Sequence, residues 1–163
     1  MSLIKKIILT ALFTAMVFVI TMFAISIPLG YLNIGDALIM LLATVLPIPM
    51  IAFIGGVGSM MADVSLGYAE YALFTLLIKS SEGVLVAFLY KNLKGWSQRT
   101  LPFIAAGLWI MIWYGLTDVF LKQSWPYFWV SMAYNSLQGI GSAIIAIALI
   151  PAVTRIMRRL WKV

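Results

Sequence analysis

The chain has 163 residues, 64% of them hydrophobic and 10% charged, with a formal net charge of +6 and a mean hydropathy of +1.08. So few polar side chains cannot clothe a soluble globule of this size, which makes the lipid bilayer the expected solvent. Neither cysteine nor histidine occurs, which excludes disulfide staples, thiol chemistry, most zinc and haem sites and the commonest proton shuttle.

A hydrocarbon core takes about 20 apolar residues per helix, so the length admits six spans joined by short loops. Hydropathy and the Gly/Pro punctuation predict them near 3–27, 34–46, 49–66, 71–90, 100–121 and 127–157. The expected fold is an all-α integral membrane protein, a compact bundle of six transmembrane helices forming a single domain over residues 1–163.

The first segment carries Lys5 and Lys6 like a signal peptide, but its apolar stretch is too long and lacks a small-residue cleavage site, so it reads as a retained helix. Its Ala11 and Ala15 form a small-xxx-small pair, suited to internal packing or to docking of another subunit; spacing alone favours packing. The second and third spans are short and separated by Pro47-Ile48-Pro49, where both prolines end a helix. A five-span arrangement stays open there. Asp36 follows Gly35 in the first turn of the second helix as a helix cap, a wet loop charge or a ligand contact, and the helix dipole explains it well. The third helix spaces Ala52, Gly56, Ser59 and Asp63 on one face, a packing surface, and Asp63 and Glu70 flank the turn at Gly67-Tyr68 as helix caps, wet loop charges or ligand contacts.

The fourth helix places Lys79 and Glu82 three residues apart, well inside the bilayer, on a face shared with Ala72, Thr75 and Val86. Charges at that depth are costly, so the two form a neutralising pair or hold a ligand between them. In the fifth helix Trp109, Trp113 and Tyr114 precede Asp118, and Trp113 is the candidate pocket wall. Trp125, Tyr127, Phe128 and Trp129 read as an interfacial belt. The sixth helix carries Ser131, Asn135, Gln138 and Ser142 as a single polar stripe that must face the bundle interior. Asn135 and Gln138 offer donors and acceptors to the hydroxyls and ring nitrogen of a small heterocycle, with Tyr134 as a stacking surface. Interhelical hydrogen bonding is the plainer role for the two serines.

Lys5, Lys6, Lys91, Lys94, Arg99, Arg155, Arg158, Arg159 and Lys162 fall on one side of a six-span topology and Lys122 on the other, so both termini are expected in the cytoplasm. The basic residues flank helices, which accounts for the positive charge without nucleic acid.

The chain resembles the S components of energy-coupling factor (ECF) transporters, small six-helix vitamin-binding subunits of prokaryotic cell membranes. The resemblance rests on Leu9-Thr10-Ala11-Leu12-Phe13-Thr14-Ala15, on the stretch from Ile27 to Asp36, and on the Gly-rich third helix ending in Ala62-Asp63 before Leu66-Gly67-Tyr68. Thr75 with Ile78-Lys79, and Asn135-Ser136-Leu137-Gln138, extend it to nearly the whole length. It implies that Ala11 and Ala15 contact a membrane-embedded coupling subunit and that two cytoplasmic ATPases are separate chains. No Gly-x-x-x-x-Gly-Lys-Ser/Thr phosphate loop is present. It also implies a vitamin bound from outside, most like the pyridoxine and hydroxymethylpyrimidine groups, with riboflavin, pantothenate and other vitamins open, in a pocket of Lys79, Glu82, Trp113, Tyr134, Asn135 and Gln138 closed by loops at Tyr31 and Tyr68. No catalytic residue, metal or cofactor is expected. The alternative is a self-sufficient secondary carrier or channel with Lys79 and Glu82 as an ion or proton relay. An intramembrane enzyme would need Asp36 and Asp63 as a dyad, and neither sits deep in its span.

Overall fold

The structure, a computed structural model, describes residues 2–28 and 30–161, without the side chains of residues 30, 31 and 157–161. Helix α1 (Leu3–Met22) starts at Ser2, whose hydroxyl accepts the Lys5 backbone N–H at 3.3 Å and so caps one of the free donors of the first turn. It ends five residues earlier than the hydropathy suggests. The Ile-rich continuation is extended, and β1 (Ile25–Ile27) pairs antiparallel with β2 (Gly30–Leu32), setting Ser26 opposite Tyr31. β-branched isoleucines at two of the three β1 positions favour this pleated form.

Helix α2 (Gly35–Ala43) has nine residues, a rise of about 13 Å and less than half a hydrocarbon core. The expected second span therefore does not cross on length alone. It is apolar all round except for Asp36, and all of its residues but Leu38 are buried, as befits a helix enclosed by others rather than set against lipid. Thr44 to Leu46 turn back through hydrogen bonds to Leu41 and Leu42, and α3 (Ile48–Leu66) starts with Pro49 in its first turn, where no intrahelical donor is lost. Gly67, at φ 88°, closes α3 in the left-handed conformation that glycine adopts without strain.

Helices α4 (Ala72–Asn92), α5 (Gly95–Lys122) and α6 (Pro126–Trp161) complete the bundle. Among the described residues there are six helices, five of them long and apolar enough to cross a membrane. α5 begins five residues before the predicted span and carries Pro102 inside it; α6 extends past its predicted end and carries Pro151.

Packing divides the bundle into two halves. One is solid: Ile39 to Ala43, Leu46, Met50, Ile51, Ile54, Val86, Phe103, Ala106, Ala146 and Ile150 form the apolar core. In the other, the last turn of α1, the hairpin and Asn33 after it, the end of α3, the starts of α4 and α6 and the end of α5 surround a cavity. Since α1 ends and α6 begins at the cavity, the start of α1 and the end of α6 lie at the opposite end of the bundle. α3 approaches α4 closely through Gly56, where a Cβ would sit 2.1 Å from the Ser80 hydroxyl and 2.7 Å from the Leu76 carbonyl oxygen.

Outward faces are apolar, as lipid requires. On α1, Leu3, Ile4, Ile7, Ile8, Leu12, Met16 and Val19 are exposed while Thr14, Val17 and Thr21 face inward. Ala11 and Ala15 are also on the exposed side, so the pair is not the internal packing contact that its spacing favours.

Candidate functional site

The cavity and the open solvent at its mouth together take up about 610 Å³. Its floor is a buried charge network. Lys79, in the middle of α4, forms an ion pair with Asp36 from the first turn of α2, and Glu82 Oε2 lies 3.4 Å from the same ammonium. The three side chains are at most 3% exposed. Gln138 on α6 donates to the second Asp36 oxygen at 2.7 Å and accepts the Asn33 backbone N–H at 3.0 Å. One amide thereby ties α6 to α2 and to the chain leaving the hairpin. The Lys79 ammonium also stands 5.2 Å from the centre of the Tyr114 ring, a favourable cation–π distance.

Above the floor, the Thr75 and Tyr114 hydroxyls are 3.0 Å apart, joining α4 to α5. Nearer the mouth, the Tyr71 hydroxyl donates to Asp118 Oδ1 at 2.5 Å. Burial, then the hydrogen bond to and charge of Asp118, push the Tyr71 phenol well above its ordinary value, so it stays a donor. Tyr68 meets Tyr71 edge to face, their ring centres 6.4 Å apart. The remaining wall comes from α6, where the Asn135 amide nitrogen donates to the Ser131 carbonyl at 2.9 Å and hydroxyl at 3.1 Å, from Ser59 and Asp63 of α3, and from Thr21, Ile27, Leu32 and Asn33.

Of the side chains singled out in the sequence, Lys79, Tyr134, Asn135, Gln138 and Tyr68 line this one cavity. Two do not. Glu82 is fully buried beneath the floor and reaches the site only through Lys79. Trp113 is 42% exposed and packs against Trp109, with ring centres 5.5 Å apart, outside the cavity. Neighbours on a helix point about 100° apart, so the turn that carries Tyr114 inward carries Trp113 outward. The Tyr31 side chain lies outside the described residues.

The structure adds residues that the sequence reading passed over or left open. Asp36 keeps its place in the first turn of α2 but is a buried ion-pair partner at 1% exposure and not a wet loop charge, and Asp63 and Asp118 are buried at 3%. Tyr71, Thr75, Tyr114 and Asp118 complete the wall. The signal for them was the four-residue spacing of Tyr71, Thr75 and Lys79 and of Tyr114 and Asp118, which puts each set on one helix face.

A model of the family described as the ECF-type riboflavin transporter, S component, matches residues 1–155. The chain belongs to this family. This S component is accordingly a transport protein and, with its five long apolar helices, a multi-pass prokaryotic membrane protein. An uncharacterized protein in gap 3'region from Pyrococcus woesei is 42% identical over 85 residues, covering 52% of the S component and 57% of that protein. The S component thus matches little more than half the length of that curated relative.

Proposed function

We propose that this S component captures a small vitamin or vitamin precursor from outside the cell and hands it to an ATP-driven uptake complex. The observation that carries this reading is the polar, tyrosine-lined cavity at the bundle end opposite the start of α1 and the end of α6, which the charge asymmetry assigns to the cytoplasm. Tyr134, Asn135 and Tyr68 contact the substrate; Lys79 and Gln138 form the polar floor, held by Asp36 and Glu82; and the hairpin with Tyr31 covers the mouth. Pyridoxine and hydroxymethylpyrimidine are the first candidates, because hydroxyl, carboxylate and amide groups line the cavity together with tyrosine rings. Riboflavin is the second reading, favoured by the description of the matching family.

Energy comes from partners: a membrane-embedded coupling subunit docks on the exposed α1 face at Ala11 and Ala15, and two cytoplasmic ATPases drive it. Release requires the docked state to bind substrate less tightly, since a ligand with equal affinity for two states shifts neither. The S component itself performs no chemistry and takes no cofactor. An ion relay through Lys79 and Glu82 finds less support, because the apolar core around Ile51, Val86 and Phe103 fills the half of the bundle beneath them.

Reconstitution in liposomes tests this. With the coupling subunit and both ATPases, vitamin uptake follows ATP hydrolysis, and the S component alone accumulates nothing. Proton-driven uptake by the S component alone would overturn the proposal.

A further inference from the structure

Four carboxylates, Asp36, Asp63, Glu82 and Asp118, are buried on or just beneath the cavity wall, against a single buried ammonium, Lys79, among the described residues. In a chain of formal charge +6, the substrate end is locally acidic. Lys79 already serves Asp36 and Glu82, so it has little left to offer a carboxylate or phosphate on a ligand. Asp118 stands apart: it lines the cavity at 3% exposure, and its hydrogen bond comes from a neutral phenol, Tyr71. No Lys or Arg lies within ion-pair distance of it among the described residues. A buried carboxylate without a cation is costly, and an incoming cation offsets that cost.

A second observation points to an occupant. Thr21 lines the same cavity at 2% exposure, and its hydroxyl has no hydrogen-bond partner. Buried hydroxyls are nearly always paired, so this one is placed for a polar group on a ligand. Tyrosine rings at 68, 71, 114 and 134 also border the space, and their faces favour positive charge.

We infer that the cavity selects a heterocycle bearing a nitrogen donor, either a cationic ammonium or a neutral ring-borne amino group, and that its N–H docks on the Asp118 carboxylate beside Tyr71. The inference rests on the vitamin-capture reading and narrows its substrate class: within the pyridoxine and hydroxymethylpyrimidine groups the amino-bearing ring is favoured over its hydroxyl counterpart, flavins bind less tightly, and anionic vitamins are rejected.

The test is calorimetric titration of the purified full chain with two matched pairs, pyridoxamine against pyridoxine and hydroxymethylpyrimidine against its analogue with hydroxyl in place of the amino group. The amino member of each pair is expected to bind about 10- to 150-fold more tightly, the range for one charge-assisted hydrogen bond. Asp118→Asn should remove most of that preference while binding of the neutral member is retained, which also shows the variant to be folded. Should that variant fail to fold, the wild-type preference decides. Equal binding within each pair, a preference that survives Asp118→Asn, or binding of riboflavin only would overturn the charge assignment and leave vitamin capture standing. No binding by any vitamin would overturn both.

Discussion

Lys79, buried in the middle of α4, forms its ion pair with Asp36, 43 positions earlier in the chain. The contact fastens the short central helix α2 to the bundle, and Gln138 secures the other carboxylate oxygen from α6. Breaking a buried pair from one side leaves an uncompensated charge, which costs about 3–5 kcal/mol, whereas removing both charges costs far less. Lys79→Met should therefore lower the thermal unfolding temperature in detergent sharply, and adding Asp36→Asn should restore part of the loss. A double variant less stable than Lys79→Met would show that the pair is not the element that holds α2.

Close approach of α3 and α4 depends on the missing side chain at Gly56, where a Cβ would strike both the Ser80 hydroxyl and the Leu76 backbone carbonyl. Gly56→Val is expected to destabilise by about 1–3 kcal/mol through overpacking. Gly141→Ala, where an added Cβ meets nothing within 4 Å, should be neutral or gain up to about 1 kcal/mol from helix propensity. Thermal unfolding of the two variants side by side separates a packing requirement from a general intolerance of helix substitution.

Much of this architecture was readable because it is local. A run of apolar residues closed by Gly or Pro reports a helix by itself, and the 131–135–138–142 stripe announced its inward face by spacing alone. What stayed hidden depends on distant partners. Nothing near Asp36 discloses Lys79, so a buried ion pair passes for a first-turn acid. The stretch after Met22 is as hydrophobic as the helix before it, and only its pairing with Gly30–Leu32 separates strand from span. Trp113 and Tyr114 are equally aromatic, and hydropathy does not say which one faces lipid.

Docking on α1 predicts a separation of functions. Ala11→Trp with Ala15→Trp adds bulk to an exposed face and should leave stability within about 0.5 kcal/mol, as surface changes usually do. Vitamin binding should persist, while copurification with the coupling subunit and ATP-driven uptake are lost. Uptake at the wild-type rate by this double variant would move the docking face elsewhere.

Because the native chain has no cysteine, its orientation is open to single-cysteine labelling without a background. Ser97→Cys, in the first turn of α5 at the end where α1 starts and α6 ends, should react with a membrane-impermeant maleimide only after the cell membrane is opened. Ser124→Cys, between α5 and α6 at the cavity end, should react on intact cells. The reverse pattern would place the cavity mouth in the cytoplasm and contradict capture from outside.

The central claim, that the outer cavity binds a vitamin without help from any partner, is tested most directly by titrating the purified, ligand-stripped chain against a vitamin panel by calorimetry, with Asn135→Leu titrated alongside. The account predicts saturable one-to-one binding of a small heterocyclic vitamin by the wild-type chain, weakened at least about tenfold by Asn135→Leu, which removes a polar wall of the cavity. No binding across the panel, or binding indifferent to Asn135, would contradict it.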